Sequence, residues 1–440
     1  MSTIKRQKIS LLTIAAMLAV GVGTLYSFAA PTWAKGDDRS GDEKEHQDHD
    51  LGWVYTETIS AGISDFPDAS PGDVPDVSPG SWFFDLLFVD SRTNRLYVAD
   101  SKNRQIDVFD TLNLVFLAPI GHGDFTGRLG AGNPNNGPNG LLVINDGDGD
   151  DHISNVHQLW VGDGDSTVKV YDLDALGNTA VNGTMGTSHT ARAIVSTGGR
   201  FRADEVDYDP KEKLTLWTND ADVPPFLSFI STKTYNVVGQ IQVPNAVDLS
   251  GHPAIEQPRL SRETGLFYVT MANDNTNLNA IGQIVGGALI AVDPVTMTIL
   301  NTYNAKNGQT SLAGCYPGAG NFGPPYNFFI TNCGPAKNPR VIDIRDGSLI
   351  ANYPSATSGD GKWFDPRAGV YIIPGGLGGL EIINAETSTI QHLFPPGGIS
   401  HALAADNSTD RIFVPVQGPP WTTLTGGGGG LQVFRRTRVR

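Results

Sequence analysis

Cysteine is almost absent from this 440-residue chain, which has two, Cys315 and Cys333. Two thiols exclude a multi-disulfide scaffold and a four-thiolate zinc centre. Charge is sparse as well, at 18% of residues, and it leans acidic, giving a formal net charge of -15. An acidic surface repels phosphate backbones and anionic lipid, so no nucleic-acid partner is expected. No run beyond the first thirty or so residues is long and apolar enough to cross a bilayer. Also missing are a Gly-x-Ser-x-Gly elbow, a Walker loop, a His-Glu-x-x-His helix and a Cys-x-x-Cys-His haem site.

What the chain has in quantity is glycine (52) and proline (28), a mix that suits many short strands joined by turns. One phrase recurs. Leu96-Tyr97-Val98-Ala99-Asp100 is followed by Ile106-Asp107-Val108-Phe109-Asp110, and Leu159-Trp160-Val161-Gly162-Asp163 by Val168-Lys169-Val170-Tyr171-Asp172. Copies centre on Val98, Val161, Thr218, Val269, Ile330, Ile372 and Val414, and the last three stand 42 residues apart. That is close to the bare length of a four-stranded propeller blade, about 40–45 residues. The wider spacings imply insertions in the earlier units. Before each copy lies another apolar run, such as Leu86-Leu87-Phe88-Val89-Asp90, which reads as an innermost strand whose final Asp or Asn opens a turn.

The two ends complement each other. The last unit stops after Leu431-Gln432-Val433-Phe434, its third strand, whereas Trp53–Ile59 is a spare strand ahead of the first unit. Pairing the two would remove both open edges. The expected fold is therefore all-β: a seven-bladed β-propeller over residues 53–440, closed by an N-terminal strand. Six or eight blades stay open, because the fifth unit's first strand is poorly marked within Leu312–Asn327. The strand phrases resemble the YVTN and NHL repeat propellers over most of residues 82–435. That resemblance implies the fold and says little about activity.

Residues 1–34 read as an export signal: Lys5, Arg6 and Lys8, an apolar stretch from Ile9 to Ala30, then Thr32-Trp33-Ala34. Cleavage would leave a periplasmic or extracellular protein without a membrane span, and a retained N-terminal anchor is the alternative. Residues 35–52 form a polar leader, acidic and His-bearing, that cannot bury a core. In an exported chain Cys315 and Cys333 suggest a disulfide, with two buried thiols as the alternative.

Propeller topology sorts loops onto two faces. The loops leading into the innermost strands carry polar residues beside those strands: Asp85, Asn139, Glu205, Glu256 and His401. His122, Asp124, Arg200, Arg202 and His252 lie further out in the same loops. Each is also the kind of residue that caps a strand or lines a watered channel. Together they could bind Ca²⁺, Mg²⁺ or Zn²⁺, or move protons. Two fragments resemble the senescence-marker/gluconolactonase propellers, metal-dependent lactone hydrolases: Gly137-Pro138-Asn139-Gly140-Leu141, and Arg202 to Pro210. The fragments occur in the reverse of that family's order, and the expected second Asn is replaced around Asp204. The resemblance implies Asn139, with Asp204 or Glu205, as metal ligands. It also implies a carboxylate such as Glu205, or His401, as the catalytic proton carrier.

Asn145 to Asp151 is a dense acidic run in which Asp146, Asp148 and Asp150 could hold a structural Ca²⁺, or form a solvated turn. It falls on the face opposite the proposed pocket. Two functions remain. One is a channel-mouth small-molecule site, in its most concrete form a divalent-metal-dependent hydrolase or lactonase. The other is a non-catalytic propeller that binds an envelope or extracellular protein or polymer. A monomer is expected in either case.

Overall fold

A strand buried on both faces must send alternate side chains into two different cores. The second strand of the first unit, Arg95–Asp100, does this: Leu96 and Val98 pack with Phe413, Leu431 and Val433, while Tyr97 and Ala99 pack with Leu141 and Leu159. The same division holds around the chain. Seven hydrophobic clusters each combine residues of two successive units, and the last unit packs on the first.

The computed structural model describes residues 51–59, 84–130, 132–146, 156–173, 190–247, 254–324, 326–333, 338–354, 359–374, 380–393, 400, 402–406, 408–416 and 430–438. Their strands form seven four-stranded antiparallel sheets, the blades of a β-propeller. The innermost strands are Phe84–Asp90, Leu141–Asp146, Val206–Asp209, Ile255–Leu260, Pro317–Gly323, Trp363–Asp365 and Ala404–Asp406, in blades 1 to 7. Each touches the inner strands of both neighbouring blades, the seventh against the first, so the ring is complete. All seven phrase centres fall in second strands, and the poorly marked fifth inner strand is Pro317–Gly323.

Closure is by strand exchange between the chain ends. Leu51–Ile59 pairs antiparallel with Gly430–Arg438 as the outermost strand of blade 7, with Trp53 opposite Arg436 and Ile59 opposite Leu431. Trp53 is buried among Leu393, Leu403 and Phe434 at the junction of blades 6 and 7. Arg436 stacks near its ring at 5.9 Å and reaches Asp365 of blade 6 at 3.2 Å.

The Asp that ends the inner strands has a local task. Its carboxylate accepts backbone N–H groups two and three residues on: Asp209 from Lys211 (2.8 Å) and Glu212 (3.2 Å), Asp365 from Arg367 (2.9 Å) and Ala368 (3.3 Å), and Asp406 from Ser408 (2.9 Å). The side chain thereby replaces the ladder where the strand reverses. Cys315, just before the inner strand of blade 5, is disulfide-bonded to Cys333 at the end of that blade's second strand.

Trp53→Ala should destabilise the protein by about 3–5 kcal/mol, since it empties a buried site in the closing strand. Thermal and denaturant unfolding measure this. An unchanged midpoint would show that the closing strand adds nothing.

Candidate functional site

In each blade the chain enters the inner strand from one end of the ring, and the turn between second and third strands returns to that same end. This end is called the mouth below. Asp204 and Glu205 precede Val206–Asp209 and are fixed by backbone bonds. Asp204 N donates to Thr218 O (2.8 Å), Thr218 N to Glu205 O (3.0 Å), and Glu205 N to Thr218 Oγ1 (3.0 Å). Gly140 lets blade 2 approach them: its N–H donates to Asp204 O (2.9 Å), and a Cβ there would lie 2.7 Å from the Glu205 Cα. The Asn-Gly pair at 139–140 thus has a packing reason. Asn139 itself is buried, and its Nδ2 donates to Asn136 O (2.9 Å), holding its own loop.

Acidic groups from distant blades meet at this mouth. Glu205 of blade 3 feels the charges of Glu256 (blade 4), Asp204, Asp360 (blade 6) and Asp85 (blade 1). Blades 3 and 6 lie on opposite sides of the ring, so these side chains can influence one another only near its axis. Cations join them: Arg128 acts on Asp85, and Arg202 and Lys362 lie deeper. Arg202 forks onto Asp220, with Nε 3.1 Å from Oδ1 and Nη2 2.6 Å from Oδ2, and lies 3.0 Å from Asp204 Oδ2. Lys362 is buried, and its Nζ donates to the carbonyl oxygens of Ala319 (2.6 Å), Gly359 (3.2 Å) and Asp360 (3.2 Å).

Burial, then repulsion from Glu256, Asp204, Asp360 and Asp85, holds the Glu205 carboxyl well above the usual carboxylate range. Burial followed by Asp360 and Asp204 does the same to Glu256, and burial overcomes the pull of Arg202 on Asp204. Lys362 is pushed down to about 7 by burial, against the attraction of Asp360, Glu256 and Glu205. Glu205 is only 6% exposed, yet its Oε2 has no hydrogen-bond partner. A buried carboxylate oxygen without a hydrogen-bond partner in an acidic setting favours holding a proton or receiving a cation.

The structure therefore brings together Asp85, Asn139, Glu205 and Glu256 at one end of the ring. His401, His252, Asp148 and Asp150 lie outside the described residues. Asp146 does not join the mouth. It ends its inner strand on the opposite face, where it accepts from Tyr208 Oη (2.5 Å) and pairs with Lys213 Nζ (2.9 Å), tying blade 2 to blade 3. His122 is exposed, with Nδ1 2.7 Å from Gln105 Oε1. Sequence reasoning missed Asp360, Lys362 and Asp220. The first two stand three and one residues before the inner strand of blade 6, in the same entering loop that carries Asp204 and Glu205 in blade 3, and that loop position was the available signal. Among the described residues no three His, Cys, Asp or Glu side chains are grouped so as to hold a metal ion.

Fold and site together define a seven-bladed β-propeller with an acidic mouth. No protein-family model matches the chain, and no curated protein matches it.

The raised carboxyls have a pH consequence. They bind protons in the folded state that the unfolded state has already released, so their contribution to stability is complete below about 4.5 and is lost as pH rises. Lys362 opposes this only above about 7, where its folded form has lost the proton that the unfolded form keeps. Between about pH 5 and 7 the ligand-free protein should lose stability with rising pH, and Glu205→Gln should flatten that slope. Denaturant unfolding at several pH values in this window tests it, and a slope unaffected by the substitution would contradict the assignment.

Proposed function

We propose that the chain is an exported propeller that binds a small, positively charged ligand at its mouth. One observation carries this reading: the buried, unpartnered Glu205 Oε2, on a carboxyl that the charges of Glu256, Asp204, Asp360 and Asp85 push toward its protonated form. A cation entering there replaces the protons that burial and mutual repulsion force onto these groups. Export is supported by the basic and apolar N-terminal segment together with the Cys315–Cys333 disulfide, which suits an oxidising compartment. The resemblance to YVTN and NHL propellers belongs to this reading, since such scaffolds carry binding sites of many kinds.

The second reading is the divalent-metal-dependent hydrolase or lactonase suggested by the resemblance to the gluconolactonase propellers. The bare oxygen of Glu205 favours it, because an oxygen-only donor set suits Ca²⁺ or Mg²⁺. Asp85, Asn139 and Glu205 would hold the ion, which would polarise a carbonyl and activate water, with His401 as the remaining pocket residue. Among the described residues the carboxylates are not drawn into a metal-binding group. The non-catalytic protein- or polymer-binding reading has no such observation in its favour.

Calorimetric titration of the full chain with tetramethylammonium and, separately, with CaCl₂ tests both readings. Saturable binding that releases protons and weakens at least tenfold in Glu205→Gln is the expected result. If only Ca²⁺ binds in this way, the hydrolase reading gains and lactone hydrolysis becomes the next assay. Binding of neither, or binding indifferent to the substitution, would refute the mouth as a cation site.

A further inference from the structure

Thirteen large apolar side chains are exposed among the described residues. Six lie on outermost strands, as Ile194, Leu300 and Leu349 do, and Leu112, Val295 and Tyr326 lie in turns of the face opposite the mouth. The remaining four, Leu129, Val223, Leu278 and Ile281, all belong to loops of the mouth face. Two of these are the most exposed of the whole set, Val223 at 94% and Ile281 at 78%. Single exposed apolar residues need no explanation, but side chains as fully exposed as Val223 and Ile281, on linked loops of one face, do.

The loops that carry them are laced together. Leu129 sits on an excursion closed by the Gly127–Gly137 bridge, and its N–H donates to Asn136 Oδ1 (2.8 Å). That excursion receives a bond from Arg202 N to Pro134 O (3.0 Å), and Arg200 N donates to Asp222 Oδ1 (2.9 Å), beside Val223. Val243 N then donates to Pro225 O (2.9 Å), and Asn275 N to Asn245 O (2.9 Å), which brings the arc to the loop of Leu278 and Ile281. The tip there is held by the Leu278–Ile284 bridge and by Asn279, whose Oδ1 accepts from Ile281 N (3.1 Å). Ile281 is thus displayed on a braced tip. The arc covers blades 2 to 4, and the same segments carry Arg202, Asp204 and Glu205 and lead on to Glu256.

We infer that the mouth is built for an amphiphilic cation, an ammonium group with an apolar tail, whose charged end enters the acidic throat while its tail lies on the rim of Leu129, Val223, Leu278 and Ile281. This rests on the reading of the throat as a cation site and adds the class of ligand. Charge complementarity selects the head, and the braced rim selects the tail. Such a ligand covers apolar surface that water otherwise meets, and its positive charge balances the Glu205 carboxylate.

The test is calorimetric titration of the full chain with n-alkyltrimethylammonium chlorides from methyl to decyl, kept below micelle formation, with decylsulfonate as the control for charge. Affinity should rise about twofold per methylene, roughly half the effect of full burial. The exposed-site variant Val223→Ser/Ile281→Ser should flatten that dependence, and Glu205→Gln should weaken every member of the series. Tetramethylammonium is too short for the rim and reports the throat separately. If it binds but chain length has no effect, the rim inference is overturned while the throat reading stands. If no member binds, both fail. Equal binding of decylsulfonate, or a response only to phosphatidylcholine vesicles, would assign the rim to nonspecific apolar contact or to a lipid surface and would overturn the inference.

Discussion

The structure depends on burial between blades. No blade owns a core: each hydrophobic cluster is shared by two neighbours, so each blade is stable only with one on either side. A row of such sheets has two unsatisfied ends, and a ring has none. Closure is therefore a requirement of the packing, and the Leu51–Ile59 strand meets it by joining the sheet of the last three strands. The backbone bonds of that strand give blade 7 its fourth member, while Trp53 fills the interface between blades 6 and 7.

The same closure creates the mouth. Seven inner strands begin at one end of the ring, so a polar residue at or just before the start of a strand is carried toward the axis. Asp85, Glu205, Glu256 and Asp360 come from four blades and up to 275 residues apart in sequence, as the positions 85 and 360 show, yet they share one electrostatic environment. Bringing like charges together out of water is unfavourable. The fold bears that cost through the apolar packing shared between neighbouring blades. Arg202 and Lys362 moderate the repulsion but leave Glu205 Oε2 unpaired.

Much of the fold was legible in the chain because propeller signals are local and repeated. A recurring apolar phrase marked the second strands at Val98, Val161 and their equivalents, and a strand-ending Asp marked the turns that Asp209 and Asp406 close. The fifth inner strand escaped because Pro317–Gly323 has three glycines and a proline in seven residues, with little apolar pattern to read. The site was half legible. Position before an inner strand pointed to Asp85, Asn139, Glu205 and Glu256, but it could not tell that Asn139 serves its own loop or that Asp146 is neutralised by Lys213. Lys362 and Asp360 were hidden because a lone lysine and aspartate in a Gly-rich loop look like solvated residues.

The sequence by itself determined the repeat, the spare strand ahead of the first unit and the strand missing from the last, since these are properties of local pattern and chain order, whereas the count of seven blades came from the structure. Tertiary structure decided which carboxylates face one another, which are neutralised by a cation from the next blade, and which oxygen is left bare. It decided also that Leu129, Val223, Leu278 and Ile281 share one rim. The physical reason is that charge and exposure depend on through-space neighbours. In a closed ring those neighbours come from blades whose separation along the chain says nothing of their distance across the axis.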